Sequence, residues 1–132
     1  DREKGRGAEL GRIKIGIRHQ LDLSPDGTRV AVISDNRIRI LELASRRTEG
    51  VSPPGWKRFG RFSWAPDGKG LYAVGGAPGR TVIFHMDFQG HVWPLYEVAD
   101  EFDAHVAPSP DGRRLALGLR TSTRNAWMVE GF

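Results

Sequence analysis

Ser24-Pro25-Asp26-Gly27, Ala65-Pro66-Asp67-Gly68 and Ser109-Pro110-Asp111-Gly112 are three copies of one tetrapeptide, their prolines 41 and 44 residues apart in a chain of 132. Proline presets φ for a turn, aspartate can accept a hydrogen bond from its own following backbone, and glycine supplies the positive φ of a tight reversal. Each copy therefore reads as a hairpin turn. The flanks repeat as well. Leu21-Asp22-Leu23, Phe62-Ser63-Trp64 and Val106-Ala107-Pro108 lie upstream, and Arg29-Val30-Ala31-Val32, Gly70-Leu71-Tyr72-Ala73 and Arg114-Leu115-Ala116-Leu117 downstream. Their alternation has the period of two that a strand imposes. A third strand is expected at 37–43, 81–88 and 125–132, after loops at 34–36, 75–80 and 120–124, and a fourth at 47–51 and 91–97.

A repeat in the low forties has the length of one four-stranded propeller blade, whereas helical repeats of that length would show apolar spacing of 3.6 without regular Pro-Asp-Gly breaks. The expected fold is all-β: one β-propeller segment of about three four-stranded antiparallel blades, at 15–54, 55–98 and 99–132, the last completed by an N-terminal strand at 8–14. Closed rings need about four to eight blades. Three blades would leave two sheet faces bare, a larger apolar surface than monomers tolerate. Either the chain is part of a larger propeller, or two copies join head to tail as a homodimer into a six-bladed ring. The chain opens at Asp1 without a methionine, in keeping with a piece trimmed from something longer.

Composition narrows the class. A mass of 14.7 kDa suits one domain, and the absence of cysteine removes disulfides and thiolate metal sites, leaving cytoplasm and periplasm equally open. Sixteen arginines against four lysines is the ratio expected of a GC-rich, bacterial genome. The net charge of +4 favours anionic partners. Yet the basic clusters at 12–18, 37–39 and 46–47 are short and interrupted by apolar residues, which suits solvated charges that protect strand edges. Nucleic acid is not the expected partner. No apolar run approaches the ~18–20 residues of a membrane span, so membrane insertion is not expected.

The hairpins resemble the TolB-like, WD-repeat-related propeller repeats of bacterial proteins over nearly the whole chain from Ala8 onward. The segments Leu21-Asp22-Leu23-Ser24-Pro25-Asp26-Gly27, Ser63-Trp64-Ala65-Pro66-Asp67-Gly68-Lys69-Gly70-Leu71 and Ser109-Pro110-Asp111-Gly112-Arg113-Arg114-Leu115-Ala116 carry it, with the closing Asn125-Ala126-Trp127-Met128-Val129-Glu130-Gly131-Phe132. They are similar to the C-terminal blades of acidobacterial propeller proteins, in which the propeller often follows a serine/threonine kinase or winged-helix domain. The resemblance implies a sensor or interaction module with a protein or peptide partner, attached to an output domain. It implies no catalytic residues.

The residues that could carry chemistry are few. The Ser-Pro-Asp-Gly turn lacks the Ser-x-Asp-x-Gly-x-Thr-Trp spacing of a sialidase Asp-box. His19, His85, His91 and His105 show no short metal-ligand spacing, and neither a metal nor a cofactor is expected. Gly75-Gly76-Ala77-Pro78-Gly79-Arg80 lacks the Gly-Lys-Ser/Thr ending of a phosphate loop and reads as an inter-strand turn. Ser63, His105 and Asp103 could spell a nucleophilic triad, but no Gly-x-Ser-x-Gly elbow accompanies them. Trp64 and Trp127 read as inter-blade packing, and Trp56, after Pro53-Pro54-Gly55, as an exposed contact.

Five residues before each motif proline stand Gln20, Arg61 and His105, equivalent by the repeat and near the starts of the innermost strands, with Arg18, His19 and Asp103 nearby. In a ring those positions converge on one mouth of the central channel, where they could hold an anionic ligand or a peptide terminus. The simpler alternative is polar lining of a water-filled channel. The expected function is non-catalytic binding or scaffolding, with protein or peptide recognition through one face and the channel mouth. Two other readings stand beside it: the propeller portion of a hydrolase such as a glycosidase or peptidase, and a structural fragment with no ligand of its own.

Overall fold

Each Pro-Asp-Gly motif turns the chain back on itself by the same hydrogen bonds. The N–H groups of Gly27, Gly68 and Gly112 donate to the carbonyls of Ser24, Ala65 and Ser109 at 2.8–2.9 Å. These glycines sit at φ of 75°, 72° and 73°, the left-handed region that costs an L side chain energy. Asp26 Oδ1 accepts from the Thr28 N–H at 3.0 Å, and Asp67 and Asp111 accept likewise from Lys69 and Arg113. The reversal is thus written locally, in four residues.

The structure is a computed structural model. It describes residues 19–34, 37–51, 58–77, 79–99, 103–120 and 125–130, of which 19, 34, 58, 77, 103, 120 and 125–127 are described by backbone alone. The described residues form three antiparallel sheets. Blade 1 is β1 (His19–Leu23), β2 (Arg29–Ser34), β3 (Arg37–Glu42) and β4 (Thr48–Val51). Blade 2 is β5 (Arg58–Trp64), β6 (Gly70–Ala77), β7 (Arg80–Asp87) and β8 (Val92–Val98). Blade 3 is β9 (Asp103–Pro108), β10 (Arg114–Arg120) and β11 (Asn125–Glu130). Strands follow chain order in every sheet, and β5 touches both β1 and β9, so the first strands line the inner side.

Two apolar layers hold the blades together. Between blades 1 and 2 lie Ala31, Ile33, Ile38 and Ile40 on one side and Phe62, Trp64, Leu71, Phe84 and Met86 on the other. Between blades 2 and 3, Tyr72, Val74 and Ile83 meet Val106, Leu115, Leu117 and Leu119. Strand alternation sends Ile83 and Phe84 into different layers although they are neighbours in sequence. Both are 0% exposed, and burying a side chain of this size contributes about 1.5–3 kcal/mol.

The expected loop at 75–80 is corrected by the structure. Gly75, Gly76 and Ala77 continue β6 and pair with Val82, Thr81 and Arg80. The ladder uses backbone groups, which glycine has in full, and the turn narrows to residues 78–79. Thr48–Val51 and Val92–Val98 take the places expected of the two fourth strands, each within a residue of the reading. The strand expected at 8–14 lies outside the described residues, as do Arg18 and Trp56 and the side chain of Trp127.

Candidate binding surface at the inner strands

Gln20 is the second residue of β1, and its side chain reaches across to blade 2. Its Nε2 donates to the Phe62 carbonyl at 2.8 Å, while its Oε1 accepts from the Phe62 N–H at 3.0 Å. A primary amide is the one side chain that can both donate and accept in this way, so it serves as a short surrogate strand on the inner edge of β5. Trp64 and Arg29 add to the same joint. The indole Nε1 donates to the Asp22 carbonyl at 3.0 Å. The Arg29 guanidinium donates to the Gly68 carbonyl, and its carbon stands 5.0 Å from the ring centres of both Trp64 and Phe88. Trp64 is 4% exposed, the inter-blade packing role its place in the repeat implies.

Arg61 and His105, the repeat equivalents of Gln20, are both exposed on β5 and β9. They stand one blade apart on strands that touch each other, around the inner side of the arc. Of the neighbours, His19 and Asp103 are placed by backbone only, opposite Ser34 and Arg120. The six residues therefore divide: Gln20 is engaged in the joint, Arg61 and His105 face solvent, and the side chains of Arg18, His19 and Asp103 are not described. Ser63 and His105 do not come together as a catalytic pair. Ser63 lies opposite Tyr72 on the side of blade 2 that meets blade 3, while His105 alternates with the buried Ala104 and Val106 and so points to the far side of blade 3. Among the described residues no three His, Asp or Glu side chains are grouped to hold a metal ion.

A second constellation lies on blade 2 and was not legible as a group in the sequence. Tyr72, His85 and Trp93 face one another across β6, β7 and β8. His85 stacks on Trp93 with ring centres 5.3 Å apart and planes 24° apart, and lies 5.0 Å from Tyr72. Burial holds the His85 imidazole below its ordinary range, against the opposing pull of Asp67 and Asp87. At the outer end His91 Nδ1 lies 2.8 Å from Asp87 Oδ2. Burial pushes the Asp87 carboxyl up, but hydrogen bonds from the His91 ring and from the backbone of His91 and Gln89 outweigh it and hold the carboxyl low. The only signal available beforehand was cross-strand pairing, which needs the register to be known.

This ladder also explains Gly70. A Cβ there would lie 2.2 Å from the Met86 carbonyl oxygen and 2.8 Å from the His85 ring.

Successive antiparallel meanders, inner first strands and two apolar layers between sheets define a segment with the β-propeller fold. Comparison with solved structures agrees. TolB from Acinetobacter baumannii superimposes with a TM-score of 0.70 at 21% identity, over 83% of this chain and 29% of that one. The β-propeller domain of the Trilobed protease from Pyrococcus furiosus, described as having an open velcro topology, matches with a TM-score of 0.59 at 16% identity, over 85% and 40%. An uncharacterised protein from Listeria monocytogenes matches at 0.60 and 6% identity, over 92% and 39%. The chain thus spans between 29% and 40% of the length of these structures. No protein-family model matches the sequence, and no curated protein sequence matches it.

Proposed function

We propose that the chain is a binding or scaffolding module without catalysis of its own, recognising a protein or peptide through the inner rim of its blades. The observation that supports this reading is the exposure of Arg61 and His105 at equivalent positions of touching inner strands, beside a rigid joint. An exposed guanidinium suits a carboxylate, and arginine recognises that group through two parallel N–H donors. The terminal carboxylate of a peptide, or an acidic side chain, is the ligand group of this chemistry.

The test compares short peptides bearing a free carboxy terminus with their amidated counterparts, using calorimetry and the shift in melting temperature. Binding of the free-acid form should weaken about tenfold or more in Arg61→Ala, the loss of a charged hydrogen bond worth roughly 1.5–3 kcal/mol. His105→Ala should weaken it less, and Arg80→Ala, whose guanidinium is paired with Glu97 at 3.1 Å, should leave it unchanged. Equal binding of acid and amide forms, or none, overturns the reading. The likeness to the propeller domain of a protease keeps a second reading, the propeller portion of a hydrolase, in which this segment would confine substrate for a catalytic domain. Turnover of peptide or glycoside substrates by the 132-residue chain alone would contradict both forms.

A further inference from the structure

The inner edge of each first strand carries main-chain groups that its own sheet does not use, and blades 2 and 3 meet the same position of that edge differently. In blade 2 the Ala65 N–H donates to the Gly70 carbonyl at 2.9 Å. Bonded and non-bonded pairs alternate along an antiparallel ladder, so Ser63 is bonded to β6 while the N–H and carbonyl of Phe62 turn away from it. Both groups are taken by the Gln20 amide. Blade 3 keeps the same phase. The Ser109 N–H donates to the Arg114 carbonyl at 2.8 Å, so Ala107 is bonded to β10 and Val106 turns its N–H and carbonyl outward. β9 is an edge of its sheet, and Val106 precedes its motif proline by the same distance as Phe62 does. Among the described residues no side chain caps the Val106 pair. The repeat puts Arg61 where a second amide would be needed, and a guanidinium has no acceptor. Val106 is 8% exposed, so its uncapped groups meet little water, and buried main-chain groups without partners cost stability.

Arg61 is itself set apart by the backbone. Phe59 pairs with Gly75 and Phe62 with Ala73, which leaves Gly60 and Arg61 against the single residue Val74 in a β-bulge. Val74 belongs to the layer shared with blade 3, and β5 touches β9, so the bulge holds Arg61 on the side of the Val106 edge. The pairing of β1 and of β9 passes the equivalent position without a shift. Bulges re-aim a side chain and often flank a site.

We infer that the inner edge of β9 at Val106 is a main-chain docking point for an extended peptide. One peptide residue lies antiparallel to Val106, in the place that Gln20 takes on blade 2, and the peptide's terminal carboxylate is held by Arg61, a contact that rests on the recognition proposed above. Gln20 shows which chemistry the edge accepts: one donor beside one acceptor, without charge. An extended residue offers that pair, because its own N–H and carbonyl point the same way. A carboxylate by itself does not, having no donor. Main-chain recognition of this kind gives affinity through the backbone and leaves the ligand's side chains to other contacts.

The test uses the 132-residue chain and an alanine pentapeptide with a free carboxy terminus, together with forms of it methylated at one amide nitrogen at a time. By calorimetry one methylated form should bind about tenfold or more weakly, through the lost bond to the Val106 carbonyl, while at least one other binds as the parent does. In an isotope-labelled chain followed by NMR, the Val106 amide should exchange with solvent more slowly once the peptide is added. Arg61→Gln supplies the missing amide. Without peptide it should slow exchange at Val106 relative to Arg61→Ala, and it should no longer bind the peptide. Equal binding by every methylated form, a Val106 amide that the peptide leaves unprotected, or an Arg61→Gln chain that exchanges like Arg61→Ala overturns the main-chain contact and leaves the carboxylate reading of Arg61 standing. Equal binding of the free-acid and amidated pentapeptides, or none, takes both down.

Discussion

The joint between blades 1 and 2 and the joint between blades 2 and 3 occupy equivalent places in the repeat, yet the side chains that clamp the first are not repeated at the second. Gln20, Trp64 and Arg29 tie blade 1 to blade 2 through backbone carbonyls and an N–H group. Their equivalents at the next joint are Arg61, Pro108 and Gly70. Arginine has no acceptor, proline no indole, and glycine no side chain, so none of the three clamps can be repeated. Blade 2 meets blade 3 instead through Tyr72, Val74 and Ile83 against leucines and valine, with the His85 stack alongside. Sequence repeats therefore conserve blade shape while each joint is built by its own chemistry.

The largest expected effect breaks the first joint outright. Phe84, 0% exposed and edge-on to Phe59 at 6.2 Å, should cost about 3–5 kcal/mol as Phe84→Ala, read as a drop in the midpoint of urea unfolding. A loss below about 1 kcal/mol would mean that the layer between blades 1 and 2 is not the stabilising core. Arg29→Ala should cost about 1.5–3 kcal/mol through its charged hydrogen bond and ring contacts. A stability unchanged by that substitution would leave the clamp without energetic meaning and make the two joints alike.

The smallest effect is a pH dependence that separates the turns. Hydrogen bonds from the Thr28 hydroxyl, the Ser24 hydroxyl and the Thr28 N–H lower the Asp26 carboxyl to about 2. Because this folded value lies below the ordinary 3.8, the carboxylate stabilises the fold above about pH 4 and the contribution fades as pH falls through about 2. Asp26→Asn should thus be less stable than the unaltered chain at neutral pH and equal to it near pH 1.5. Asp67→Asn is the comparison at the second turn, where Ala65 offers no hydroxyl in the place of Ser24. Parallel melting curves for the two substitutions across pH would remove the distinction.

Reading the chain residue by residue recovered the blades because Pro-Asp-Gly turns and period-two strands are local instructions. Gly27, Gly68 and Gly112 take positive φ, and the strands lie within a few residues of the reading wherever they are described. It misjudged the run from Gly75, where composition signalled a loop and backbone pairing carried the strand on to Ala77. The candidate rim was legible only as equivalence: counting back from each proline found Gln20, Arg61 and His105, but not that the amide of Gln20 would be engaged while Arg61 remained exposed.

What the sequence alone determined is the unit: where each hairpin turns, which residues alternate, and that at least three units follow one another. The tertiary structure decided which face each residue serves and which partner it meets. Gln20 on Phe62, Trp64 on Asp22 and Arg29 on Gly68 are separated by 39–42 residues. Contacts at that separation depend on how one finished sheet sits on the next. No local rule encodes them, because the same position in the repeat can hold an arginine or a glycine and still turn the same corner.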